Sequence, residues 1–184
     1  MSSPMKHSNC ECRIVTDSFE IKELLQFRRK ILVDYEHWDP AFEPDCWDNI
    51  AVHFGAFINK KIIGCVRLIP GDQKPILSEF LETGYLGSGD KNSVEIGRLA
   101  IDPAFRNNNA TDNLFKLVAA YALKENIQHA FLICWRFHAR KYTPWGWIDI
   151  SKEINLKSFL AGKAIIMMNK HDNFVRSENI TTIR

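Results

Sequence analysis

The stretch SVEIGRLAID, residues 93–102, constrains the fold more than any other. Val94, Ile96, Leu99, Ala100 and Ile101 mark a strand inside a sheet, yet Glu95 and Arg98 put charges into it. A charge there is tolerated only with a partner. Side chains alternate across a strand with period two, so strict alternation sends Glu95 and Arg98 to opposite faces. Gly97 lies between them, and an interior glycine marks a bulge or the close approach of another backbone. The two charges share one cavity only if a bulge near Gly97 changes the phase of the strand.

Other charges break apolar patterns in the same way. Arg28 sits between Leu25 and Leu32 on the apolar stripe of a first helix, and Arg67 ends a strand in line with Ile63 and Cys65. A guanidinium in either place needs a carboxylate or a ligand. Asp45 and Asp48 offer carboxylates from HWDPAFEPDCWD, an aperiodic, aromatic-rich stretch that reads as an ordered loop. Arg28, Arg67, Arg98, Asp45, Asp48 and Glu95 together point to one partly buried ionic network. It serves either as salt bridges fixing the loop to the sheet or as a site.

Around these residues the elements alternate. A strand at Arg13–Thr16 leads to a helix opened by Asp17-x-x-Glu20, which resembles a capping box. Asn49–Ile58 and Lys61–Ile69 form a hairpin turned by Asn59-Lys60. A short helix is expected at Ile76–Glu82 and a loop at Gly84–Asn92. After SVEIGRLAID, Thr111 or Asp112 caps a helix whose stripe is Leu114, Leu117, Val118, Tyr121 and Ala122. His129–Trp135 is a strand, Phe137–Tyr142 a short helix, and Trp147–Ile150 and Lys163–Asn169 are late strands. The order predicts a mixed α/β sheet with helices on its faces. Residues 13–170 form one domain, with tails at 1–12 and 171–184.

Composition narrows the function classes. With 24 Lys plus Arg against 22 Asp plus Glu, the net charge of +2 argues against a dedicated nucleic-acid binder. No apolar run is long enough to span a membrane and MSSPMKHSNC lacks an apolar signal core, so no stable membrane insertion and a cytoplasmic address are expected. Five cysteines without framework spacing fit a reducing compartment. Cys10-x-Cys12 beside His7 has no second half at zinc-finger spacing, so no metal site is expected. Tyr142, four residues before Gly146-Trp147, suits either a core tyrosine or a hydroxyl that gives a proton to a leaving group. His138 reads as structural.

The order of elements, Glu95 with Arg98 on the fourth strand, and Tyr142 followed by Gly146-Trp147 resemble the GCN5-related N-acetyltransferase (GNAT) superfamily. Within it the chain is most similar to acyl-homoserine-lactone (autoinducer) synthases and N-acyl amino acid synthases. The ordered residues that carry this are Arg28, Trp38, Asp45, Asp48, Gly64, Arg67, Glu95 and Arg98, within residues 13–150. Leu32 stands where that branch has an aromatic residue, the gap from Trp38 to Asp45 is short, and His53 looks closer to the N-acyl amino acid synthases.

The resemblance implies a single-domain fold with a twisted, mostly antiparallel mixed sheet and a splayed fourth and fifth strand pair. It implies acyl transfer from the thioester of an acyl carrier protein to the primary amine of an amino-acid-like acceptor. Glu95 is then the base and Tyr142 the acid, while Arg28, Trp38, Asp45, Asp48, Arg67 and Arg98 bind substrate. Leu99, Ala100, Ile101 and Arg106 take the pantetheine, and Phe131, Ile133 and Trp135 line an acyl tunnel. No permanently bound cofactor is implied. The stretch Arg106-Asn-Asn-Asn109-Ala-Thr111 lacks the glycines with which the superfamily holds a pyrophosphate. Asn109 suits a left-handed turn, Thr111 adds a side chain and Asp112 a negative charge, which favours acyl carrier protein over acyl-CoA or acetyl-CoA. The alternatives are an acetyl-CoA-dependent N-acetyltransferase, a homoserine lactone synthase, or a non-catalytic module that binds an acyl group or a partner.

Overall fold

The computed structural model describes residues 10–73, 91–151 and 163–178. The helix expected at Ile76–Glu82 and most of the Gly84–Asn92 loop lie outside them. Among the described residues the strands are β1 (Glu11–Val15), β2 (Val52–Ile58), β3 (Lys61–Pro70), β4 (Ser93–Ile101), β5 (His129–Trp135), β6 (Ile148–Asp149) and β7 (Ala164–Lys170). The helices are α1 (Ser18–Arg29), α2 (Ala110–Lys124), α3 (Ala139–Tyr142) and α4 (His171–Glu178). The strands form one sheet in the order β1-β2-β3-β4-β5-β7-β6. Neighbours are antiparallel except β4 and β5, which run parallel.

The Asn59-Lys60 turn has both residues at positive φ, 49° and 66°, the geometry whose twist matches a two-residue hairpin. Asp17 caps α1 by accepting the N–H groups of Phe19 and Glu20 at 3.0 and 2.9 Å. Glu20 does not complete the expected capping box, because its carboxylate turns to Arg13 at 2.5 and 2.8 Å. The helix runs on as a π-helical segment, Lys30–Tyr35. Helix α4 occupies part of the stretch expected to be a C-terminal tail, and Phe174 anchors it in the core.

Two apolar clusters sandwich the sheet. Leu24, Ile31 and Leu32 of the first helical run meet Val15, Phe57, Cys65 and Ala100 on one face. Leu114, Phe115, Val118, Ala119 and Ala122 of α2 meet Phe54, Ile63, Val66, Leu68, Val94, Ile96 and Ile101 on the other. Each such large side chain contributes about 1.5–3 kcal/mol on burial. The two helices therefore clamp β3 and β4 from opposite sides.

Strand β4 is bulged. Cys65 pairs with Ala100 and Arg67 with Gly97, so two steps on β3 oppose three on β4. The bulge falls at Arg98, which adopts φ 57°. Ile96, Leu99 and Ile101 consequently serve the α2 face, while Ala100 joins the α1 face. Arg98 also turns to the α1 side, where it meets the loop after the first helix. Parallel pairing of β4 with β5 runs only from Ser93–His129 to Glu95–Phe131. Beyond that pair the two strands splay.

Candidate functional site

The loop between the π-helical segment and β2 folds against the α1 face through two short 3-10 turns. Asp39 caps Pro40–Phe42 by accepting the Ala41 N–H at 2.9 Å. Asp45 and Asp48 make a reciprocal capping box: Asp45 accepts the Trp47 N–H at 3.0 Å, and Asp48 accepts the Asp45 N–H at 3.0 Å. This local chemistry, satisfying donors that a helix start leaves open, aims both carboxylates at the sheet.

There they meet three guanidiniums. Arg28 grips Asp48 with both terminal nitrogens at 2.9 and 2.6 Å and gives its Nε–H to Glu43. Arg67 bonds Asp45 at 2.5 and 3.1 Å and Asp48 at 3.0 Å. Arg98 bonds Glu43 at 3.0 Å, Asp45 at 2.8 Å and the Phe42 carbonyl at 3.0 Å, with its guanidinium carbon 5.2 Å from the centre of the Trp38 ring. Three positive and three negative groups thus neutralise one another in forked geometry, which suits guanidinium and carboxylate. The side chains of Arg28 and Arg67 are sealed from solvent, and that of Arg98 is 12% exposed. Of the three guanidiniums, Arg98 is the one that reaches the solvent side.

The network corrects the expectation from sequence in one member: the third acid bonded to these guanidiniums is Glu43, not Glu95. Glu43 and Asp45 flank Pro44 in a bend whose Glu43–Pro44 bond is cis, so strand alternation does not place them, and it is the packing of the loop on the sheet that turns both carboxylates to Arg98. The sequence signal for a third acid is the need of three arginines for three carboxylates, and it does not say which acid of the loop supplies it.

Burial works against every charge here. It would lower Arg28, but hydrogen bonds to Asp48 and the charges of Glu43 and Asp48 hold that guanidinium above its ordinary range. Burial would likewise raise Asp48, but Arg28 and Arg67 keep it well below the usual carboxylate range. Glu43 is pushed up by burial, against the pull of Arg28 and Arg98. Arg98 is pushed down by burial and by the neighbouring charge of Arg67. His53, cross-strand from Arg67, is lowered by burial and contacts the Asp48 carbonyl through Nε2 at 3.0 Å. A neutral His53 donates there, anchoring the backbone of the Asp45–Asp48 turn.

Glu95 lies on the same face, at the last β4–β5 pair, beside Phe131. The bulge expected near Gly97 is present, and it is what brings Glu95 and Arg98 to one side. A side-chain carbon placed at Gly97 would lie 3.9 Å from Glu95 Oε1 and touch nothing else among the described residues within 4 Å. Among the described residues Gly97 thus leaves its own side of the carboxylate uncrowded, where the splay begins. Phe131 is fully buried with Ile166 and Met168, and Ile133 and Ile150 pack on that cluster. Trp135 is half-buried and stacks on Phe137, 6.3 Å between ring centres. Leu99, Ala100 and Ile101 occupy the length of β4 past its last pairing with β5.

Tyr142 follows β5 and packs edge-on against Phe115 at 5.8 Å and Trp147 at 6.4 Å. Burial, then the neighbouring Cys134 and Glu36, push its hydroxyl up from the ordinary range. It belongs to the α2 side, whereas Glu95 faces the α1 side. His138 is lowered by burial and by Lys141 and Arg106.

The loop before α2 also departs from expectation. The N-cap is Asn109, at φ −81° rather than in a left-handed turn, and neither Thr111 nor Asp112 caps the helix. The Asn108 side chain accepts the Ala110 N–H at 2.8 Å, occupying one of the donors that a phosphate at a helix start would use. Arg106 bonds Glu36 at 2.7 Å and lies over the Tyr35 ring at 5.1 Å. At the edge of β1, Cys10 and Cys12 place their sulfurs 3.9 Å apart.

A family model described as an acetyltransferase (GNAT) domain matches residues 23–116, just over half of the chain. The match contains all six network residues, Glu95 and Arg106. Among solved structures, the chain is similar to FeeM, an N-acyl amino acid synthase from uncultured soil microbes, with TM-score 0.74 at 21% identity, over 94% of this chain and 96% of that one. It is similar to BjaI, a CoA-dependent acyl-homoserine lactone synthase, with TM-score 0.72 at 17% identity over 90% and 85%. LasI, an AHL synthase, gives 0.73 at 15% identity over 89% and 91%. At these identities the likeness is one of fold. No curated protein shows significant similarity to the chain.

Proposed function

The chain belongs to the GNAT acetyltransferase family and is an acyltransferase, and on that premise we propose that it moves a fatty acyl group from the phosphopantetheine thioester of an acyl carrier protein to the primary amine of an amino-acid-like acceptor. The observation that carries this reading is the opening between β4 and β5 past the Glu95–Phe131 pair. It has a carboxylate at its apex, an apolar cluster of Phe131, Ile166 and Met168 beside it, and the ionic network on the same face. Such a cleft suits a thioester with a long apolar tail.

An amine is mostly protonated at neutral pH and must lose a proton before it attacks. Glu95 takes that proton, directly or through a water. The nitrogen then bonds to the thioester carbon, and a backbone N–H beside the Arg98 bulge stabilises the oxyanion that forms. The nitrogen, now cationic, releases its second proton to water, and collapse breaks the carbon–sulfur bond to leave the amide. Tyr142, a neutral phenol at that pH, is the group assigned to hand its proton to the departing thiolate, reaching it from the α2 side of the gap. Arg28 and Arg67 are committed to Asp45, Asp48 and Glu43, so in this reading they hold the loop in place, and Arg98 with Trp38 borders the acceptor. Leu99, Ala100 and Ile101 receive the pantetheine.

The choice of donor rests on the loop before α2. Its first helical N–H is occupied by Asn108, it carries no glycine, and Asp112 lies in the first turn. A phosphodiester is accommodated there more readily than a pyrophosphate with a further phosphate. The acceptor is an amine on a small molecule. No described helix is long and apolar enough to cross a membrane.

The test uses purified protein with a C12–C16 acyl carrier protein thioester, the matching acyl-CoA and acetyl-CoA, each against a panel of amino acids and S-adenosylmethionine, read by mass spectrometry. The reading predicts an N-acyl amino acid from the acyl carrier protein. A lactone would assign the homoserine lactone chemistry instead, and acetylated product from acetyl-CoA alone would overturn the long-chain donor.

A further inference from the structure

The Arg106 guanidinium is already taken. Its Nη2 donates to Glu36 Oε1 at 2.7 Å, its Nε to the Ile101 carbonyl at 3.4 Å, and its cationic carbon stands 5.1 Å from the centre of the Tyr35 ring. Glu36 and Tyr35 come from the end of the π-helical segment, seventy residues away in sequence. The first helical run thus plants a carboxylate on the arginine that precedes α2. Both side chains remain partly open to solvent, at 43% for Arg106 and 34% for Glu36, so an incoming anion can compete for the guanidinium.

We propose that Glu36 is a specificity-determining residue, which discriminates against thioester donors bearing several phosphate charges by holding Arg106 and presenting a carboxylate to the same space. This rests on the reading above that the donor's phosphate end lies at the Arg106 loop. A phosphodiester brings one negative charge past Glu36. Coenzyme A brings a pyrophosphate and a further phosphate, and each added charge is repelled by Glu36 and by Asp112 in the first turn of α2. Lys141 lies close enough to Glu36 to oppose its burial-raised pKa, so this border of the site balances charge rather than offering a bare basic patch.

The discrimination is measured by calorimetric titration of the whole protein with coenzyme A itself, which needs no turnover. Glu36→Gln keeps the shape and a hydrogen-bonding oxygen while removing the charge. It should tighten coenzyme A about tenfold, the order expected when one charge-assisted contact is freed. Adding Arg106→Gln to that variant should abolish the gain. With acyl donors of one chain length, the ratio of kcat/KM for acyl-CoA to that for acyl-pantetheine, which lacks phosphate, should rise by the same factor. Glu36→Ala, with thermal melts alongside, guards against a fold defect peculiar to one variant. Unchanged coenzyme A affinity in both Glu36 variants would overturn the proposal, as would a gain that survives loss of Arg106. If affinity behaves as stated but no donor is turned over with any amine, the acyl-transfer reading fails and the role of Glu36 toward phosphate stands.

Discussion

Asp48 is bonded by two guanidiniums and by the backbone of Asp45. Breaking one partner of a buried ion pair leaves the others uncompensated and costs about 3–5 kcal/mol. Asp48→Asn, nearly isosteric, should therefore lower the stability of the chain by about that amount in urea titration; a loss under about 1 kcal/mol would mean that the network relaxes around a neutral side chain. His53 supplies a pH dependence of known sign. Burial lowers its folded pKa, so the unfolded chain, with an ordinary value of about 6.5, takes up the proton first as pH falls. Its contribution is intact above that pH and is lost below it. Asp48 acts with the same sign lower down, from about pH 3.9, whereas the burial-raised Glu43 gains a proton more readily when folded and works in the opposite sense. Relative to His53→Gln, the native chain should lose urea resistance between about pH 7.5 and 5.5. A difference independent of pH would assign His53 a packing role alone.

At the scale of elements, β4 is the decisive piece. Its charges are legible in sequence because Glu95 and Arg98 interrupt an otherwise apolar run, and the need for a bulge follows from period two. Its position is not: Arg98 rather than Gly97 takes the positive φ. A non-glycine residue there costs on the order of 1–2 kcal/mol, and it is held by bonds to Glu43, Asp45 and the Phe42 carbonyl, partners that lie more than fifty residues away. Gly97 instead leaves space beside Glu95. Gly97→Ala should change stability by less than about 1 kcal/mol, since among the described residues its new methyl meets only Glu95 Oε1 at 3.9 Å, yet it should cut the transfer rate roughly tenfold or more by crowding the reacting centre. Gly146→Ala makes the contrast. Gly146 has φ 83°, and a side chain there would come within 2.8 Å of Asn173, so the cost should appear in the melting temperature. Loop details such as the Asn108 contact to Ala110 and the third acid, Glu43, escape a linear reading because competing local caps are close in energy and tertiary contact chooses among them.

For the whole molecule, the alternating pattern of strands and helices predicts the mixed sheet with helices on both faces, and the two apolar clusters show why it holds: α1 and α2 press the same central strands from opposite sides. That clamp closes β3 onto β4 but leaves β4 and β5 apart beyond Glu95. In the proposed function this gap is where a thioester meets an amine, with Glu95 as the base. The most direct measurement is mass spectrometry of lipid extracts from cells overproducing the chain, compared with cells producing Glu95→Gln to the same folded level. An N-acyl amino acid present with the native chain and absent with the variant is the predicted result. The same lipid made in equal amount by a stably folded Glu95→Gln protein would contradict the assignment of Glu95 as base.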